Sequence, residues 1–62
     1  MRMVYYKLDE NSKQIKGYFH QWGTDFITDN KDNPISVTRA IVEDLKTKAI
    51  HLVYPEFIEF LD

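Results

Sequence analysis

Two histidines (His20 and His51), ten acids and two serines (Ser12 and Ser36) are the side chains with which this chain could do chemistry. Both imidazoles together with the carboxylate of Asp25 or Glu43 would be the simplest metal site, because imidazole nitrogen and carboxylate oxygen both ligate zinc. The spacing of the histidines matches no ligand motif, and there is no cysteine to add a thiolate. A serine nucleophile needs a sharp, glycine-flanked turn. Ser12 instead sits in a polar turn, and Ser36 follows Pro34 and Ile35. Gly17 and Gly23 are the only glycines, so no glycine-rich phosphate loop can form. Acid pairs need a desolvating cleft to drive their pKa values apart, and 62 residues leave little volume for one. The sequence therefore predicts no catalytic residue, no metal ligand and no cofactor, and the chain reads as a protein that is not an enzyme.

The informative rings lie elsewhere. Tyr18, His20 and Trp22 stand at alternate positions, with Phe26 four residues beyond Trp22. If Phe19 points inward with Ile15 and Gly17, a regular strand turns the three rings to the opposite face together. Tyr and Trp bring large apolar area, few rotors and a polar handle, and interface hot spots are enriched in them. Tyr18, His20, Trp22 and Phe26 are accordingly the expected partner-binding residues. The competing reading is structural: Trp22 folds beneath the following connection and packs on Phe26.

Short runs of β-branched and aromatic residues must position these rings. Val4, Tyr6 and Leu8 alternate with Met3, Tyr5 and Lys7; Ile50, Leu52 and Tyr54 alternate with Ala49, His51 and Val53. Turn signals at Asp9–Lys13 and Leu45–Lys48, and a long polar connection from Gly23 to Pro34, separate the runs. The resulting expectation is strands over residues 3–8, 15–22, 38–43, 49–54 and 57–61, with Pro55 leading a turn into the last. The apolar positions change parity near Thr38 and Arg39, which predicts a β-bulge there or a strand that starts at Thr38. Five short strands with a long connection after the second describe an all-β, SH3-like small barrel over residues 1–62 as a single domain. An α+β alternative, a three-stranded sheet with one helix around 36–48, follows from the i, i+4 spacing of Val37, Ile41 and Leu45 behind a Ser36 cap. The β-branched content of Ile35, Val37, Thr38, Ile41 and Val42 favours the strand.

Three stretches carry a resemblance. Gly17-Tyr18-Phe19-His20-Gln21-Trp22-Gly23, Ala40-Ile41-Val42-Glu43-Asp44, and His51-Leu52-Val53-Tyr54-Pro55-Glu56 with Ile58 and Phe60 resemble a group of small proteins encoded in bacteriophages and prophages of Gram-positive bacteria. The resemblance implies an accessory phage protein working in a host cytoplasm, and brings no activity, cofactor or catalytic residue with it. This chain departs from the group's pattern at Leu45-Lys46-Thr47-Lys48, where a glycine-containing turn is usual, and at Phe57, where an Asn is.

Composition bounds the function classes. Eight bases against ten acids give a net charge of -2, too few bases to neutralise a row of phosphates. No apolar run approaches a membrane span, and the absence of cysteine suits a reducing compartment, so the expected location is cytoplasmic. The leading expectation is a protein-interaction module acting on a host or phage protein through the aromatic face. The alternative is a small barrel stacking single-stranded nucleic acid on the same rings, with Lys7, Lys13, Lys16 and Arg39 beside them. An exposed aromatic row would equally serve self-association into a homo-oligomer.

Overall fold

The computed structural model describes residues 2–61. Five strands form one antiparallel sheet: β1 (Arg2–Tyr6), β2 (Ile15–Thr28), β3 (Pro34–Asp44), β4 (Ile50–Val53) and β5 (Ile58–Phe60), in the order β4-β3-β2-β1-β5. A single 3₁₀ turn, Pro55–Phe57, leads from β4 into β5. The all-β expectation holds: where the alternative placed a helix around 36–48, β3 runs to Asp44 and a turn follows it. Among the described residues no helix is long and apolar enough to cross a membrane.

Barrel closure is the point at which expectation and structure part. β4 and β5 are the two edges of the sheet and no ladder joins them. β4 has four residues and β5 three, and the chain between them is spent on a turn led by Pro55, which offers no N–H to a ladder.

The buried core is Val4 and Tyr6 from β1, Ala40 and Val42 from β3, and Val53 from β4. Ile15, Phe19, Phe57, Ile58 and Phe60 pack around it. Register explains this set, since Val4 lies opposite both Gly17 and Phe60, Phe19 opposite Val42, and Ala40 opposite Val53. These residues share one face, and the curl of the sheet brings them together. Leu8, expected to continue the face of Val4 and Tyr6, lies beyond the end of β1 and is exposed.

Each of the three polar turns opens on an aspartate that holds it. Asp9 Oδ1 accepts the N–H of Asn11 at 2.9 Å, Asp29 Oδ1 that of Lys31 at 2.8 Å, and Asp44 Oδ1 that of Lys46 at 2.7 Å. These are Asx turns, in which the side chain imitates a backbone carbonyl. The residues at positive φ, Asp32 (62°) and Lys48 (65°), complete the second and third turns in the left-handed region.

The polar connection expected from Gly23 to Pro34 is mostly strand. The turn itself spans only residues 29–33, and β2 and β3 run on as a two-stranded ribbon. The pairing of β1 reaches Arg2, opposite Phe19, and that of β4 reaches Val53, opposite Ala40, so beyond those points the ribbon has no neighbouring strand among the described residues. The shape records this projection. The radius of gyration is 12.5 Å, against roughly 10.5 Å for a compact chain of this length.

Candidate functional site

A regular β2 would place Tyr18, His20 and Trp22 on one face. The register with β3 shifts between Phe19 and Gln21, so His20 is the extra residue of a β-bulge. The bulge inverts the alternation beyond it. Tyr18 pairs with Glu43 on the outer face, and the His20 ring lies on that face too, its Nε2 2.8 Å from Glu43 Oε1. Trp22 pairs with Ala40 and turns to the core face, with Phe26 following on that side opposite Ser36. The expected aromatic row is thus divided, two residues to each face. The bulge lies in β2, whereas parity had predicted one in β3. The register of β3 is unbroken from Pro34 to Ala40; its apolar positions change parity because Ile35 and Val37 sit on the outer face of the arm, while Ala40 and Val42 face the core.

Trp22 roofs the open end of the core. Its ring meets Phe19 edge-on at 5.1 Å between centroids and Phe60 at 6.3 Å, and Phe19 and Phe60 meet at 5.1 Å. Arg2 Cζ lies 3.9 Å over the Phe60 ring, adding a cation to the edge of the same cluster. Trp22 nevertheless keeps 46% of its surface exposed, and Phe26, farther out on the same face, keeps 68%. The opposite face of the ribbon carries Ile27 and Ile35, also exposed. A two-stranded ribbon in water gains little from burial, so four large apolar side chains on one are an unusual concentration.

Arg39 ties the ribbon to the body. Its Cζ lies 4.2 Å over the Tyr54 ring, Nη1 donates to the Leu52 carbonyl at 3.2 Å and Nη2 to Tyr54 Oη at 3.1 Å. Nε stands 3.5 Å from Asp25 Oδ2, an ion pair outside hydrogen-bond geometry. The other Asp25 oxygen, Oδ1, accepts the N–H of Phe26 at 2.8 Å.

The two histidines do not meet. His20 lies on the outer face, whereas His51 pairs with Val42 and its ring centroid is 6.0 Å from that of the buried Tyr6. Among the described residues no three His, Asp or Glu side chains gather around a point that could hold a metal ion. Of the bases imagined beside the aromatics, Lys13 and Lys16 instead line an open hollow with Tyr5, Asp44 and Lys46, and Lys7 borders a second with Glu10, Glu56 and Glu59. Lys16 lies ten residues before Phe26 along β2, about 33 Å at the rise of a strand.

The run Thr24-Asp25-Phe26-Ile27-Thr28 carried a strand signal, threonine and aromatic residues at alternate positions. Gly23 and the two Asp residues hid it by resembling turn punctuation. Thr24, at the centre of the arm, is hidden for that reason, whereas the contact of Phe60, in the expected last strand, with Trp22 depends on the tertiary arrangement and has no local signal. Comparison of the chain with protein-family models, with curated proteins and with solved structures gives no match.

Proposed function

We propose that this chain is a small protein-interaction module whose projecting β2–β3 arm presents Trp22 and Phe26 to a partner protein. The observation that carries the reading is the exposure of both rings on one face of a ribbon that, outward from Trp22 and Ala40, has no further strand beside it among the described residues. Phe26 makes no contribution to the core that would account for a large aromatic at that position, and interface anchors are drawn from this class of side chain. Tyr18 and His20, on the outer face, belong to a separate surface, with His20 engaged by Glu43. The likeness to phage and prophage proteins supports an accessory role toward a host or phage protein.

The nucleic-acid alternative draws less support. Stacking of single-stranded bases works together with a basic groove. Lys13 and Lys16 border a hollow away from the rings with Lys46 and Asp44, and Lys7 borders another with three glutamates. Arg39, the base that does lie on the arm, is engaged by Tyr54, the Leu52 carbonyl and Asp25.

The test compares tagged wild-type chain with Phe26→Ala and Trp22→Ala variants in quantitative capture from host lysate, alongside a salt titration of binding to short single-stranded DNA. Proteins retained by the wild type and lost by both variants support the reading. An unchanged set of captured proteins, or DNA binding that falls steeply with salt, overturns it.

A further inference from the structure

The two edges of the arm are built differently. The N–H of Asp29 donates to the Asn33 carbonyl at 3.0 Å, which fixes the hydrogen-bonding phase of the ribbon. Antiparallel pairs alternate between bonded and non-bonded, so Ile27–Ile35, Asp25–Val37 and Gly23–Arg39 are the bonded pairs. Trp22, Thr24, Phe26 and Thr28 therefore direct their backbone groups away from β3, and Pro34, Ser36 and Thr38 direct theirs away from β2.

On the β3 side Pro34 has no N–H to offer, and Arg39 packed on Tyr54 closes the end next to β4. On the β2 side the segment from Gln21 to Thr28 contains neither Pro nor Lys. One device guards it, the Asp25 carboxylate on the Phe26 N–H. The outward groups of Trp22, Thr24 and Thr28 have no partner strand among the described residues.

We infer that the β2 edge from Trp22 to Thr28 accepts an extended segment of another protein as an added strand, lying in line with β1. This rests on reading the arm as an interaction surface and supplies its mode: main-chain hydrogen bonds for affinity, with Trp22 and Phe26 beside alternate side chains for selectivity. The segment that fits has apolar or aromatic residues at every second position and no acid facing Asp25.

A second copy of this chain fits poorly. Symmetric antiparallel pairing sets one residue opposite its own twin. Centred on Thr24, it would bring the second chain's Asp29 onto the place where Arg2 already pairs with Phe19. Centred on Asp25, it opposes two carboxylates across the ladder. Centred on Phe26, it leaves only residues 24–28 in register. A segment without a hairpin turn meets none of these limits.

The test selects random linear peptides of about twelve residues on the full chain and measures the enriched peptides in synthetic form. Enrichment of alternating apolar sequences is expected, with binding weakened at least about tenfold by Thr24→Pro. That substitution removes an outward N–H and leaves the β2–β3 ladder whole. Should the proline variant fail to fold, peptides N-methylated at alternate amides decide: methylation in one phase abolishes binding and in the other spares it. No enrichment, or binding indifferent to the proline and to both methylation phases, overturns strand addition. Binding lost in Phe26→Ala and Trp22→Ala but kept in Thr24→Pro overturns the added strand and leaves the aromatic surface standing. The converse pattern sustains the strand and overturns the aromatic reading. Dimerisation of the peptide-free chain at micromolar concentration, abolished by Thr24→Pro, overturns the assignment of the occupant.

Discussion

A Cβ atom on Gly17 would stand 2.9 Å from Cε1 of Tyr6, and closer still to the backbone carbonyl of Glu43 on the neighbouring strand. Gly17 is fixed by that absence of space, because β2 is held between Tyr6 of β1 and the main chain of β3. At Gly23 the nearest atom is instead the flexible end of Ile41, 3.2 Å away.

Gly17→Ala should cost about 1–3 kcal/mol, the range for overpacking, because a backbone carbonyl cannot rotate aside. Gly23→Ala should cost far less, since the Ile41 side chain can yield by a few tenths of an ångström. Urea midpoints of the two variants check this, and equal losses would mean that the Tyr6 ring and the β3 backbone give way more easily than their packing indicates.

Tyr6 is fully buried and its hydroxyl has no hydrogen-bond partner. Burial, with a smaller contribution from the charge of Asp44, raises its pKa above the ordinary 10.0. Tyr6→Phe removes an unsatisfied polar atom and should leave stability at neutral pH unchanged or higher. The alkaline limb gives a second readout. A raised folded-state value means that the native state keeps its proton while the unfolded chain releases it, so stability falls as pH rises past about 10. Thermal melts from pH 8 to 11 should show that fall diminished in Tyr6→Phe.

The acid limb belongs to the turn aspartates. The backbone N–H groups of Asn33 and Lys31 lower the pKa of Asp29, and those of Lys46 and Thr47 lower that of Asp44. Both groups favour the native state above the ordinary carboxylate range. That contribution is lost as pH falls through their lowered folded values. Asp29→Asn and Asp44→Asn keep an acceptor oxygen but cannot titrate. Melts between pH 7 and 2 should be flatter for the double variant than for the wild type.

Val42 and Phe26 should respond oppositely to truncation. Val42→Ala empties part of a fully buried site and should cost about 2 kcal/mol. Phe26→Ala on the exposed arm should stay within about 0.5 kcal/mol. Amide exchange adds a backbone check: Gly23, Asp25 and Ile27 should exchange slowly, Trp22, Thr24 and Thr28 quickly. Uniform protection along the arm would show that its free edge is covered.

Where side-chain type decides the outcome locally, the sequence was legible. Val4 and Tyr6 are buried as alternation requires, and turns fall at Asp9 and Asp44 because a short carboxylate can cap its own backbone. Phe19 packs against the core, as its alternation with Ile15 and Gly17 indicated. The bulge at His20 was not legible, since an inserted residue leaves composition and hydrophobicity unaltered and is revealed only by the register of two strands. The arm was obscured for a related reason. Its polar residues describe a strand without a core beneath it, and strand signals are read chiefly from the imprint of burial. The parity change in β3 marks the place where one covered face ends.

The connectivity also orders the assembly of the chain. β2 and β3 are neighbours across a turn of residues 29–33, whereas the β1–β5 ladder joins residues 4–6 to 58–60. Closing a long loop costs more entropy than closing a short one, so the hairpin zips first and the β1–β5 pairing arrives late. Substitutions along the hairpin should then slow refolding. Those at Ile58 or Phe60 should chiefly quicken unfolding, so that the lifetime of the native state is set by its last and least local seam.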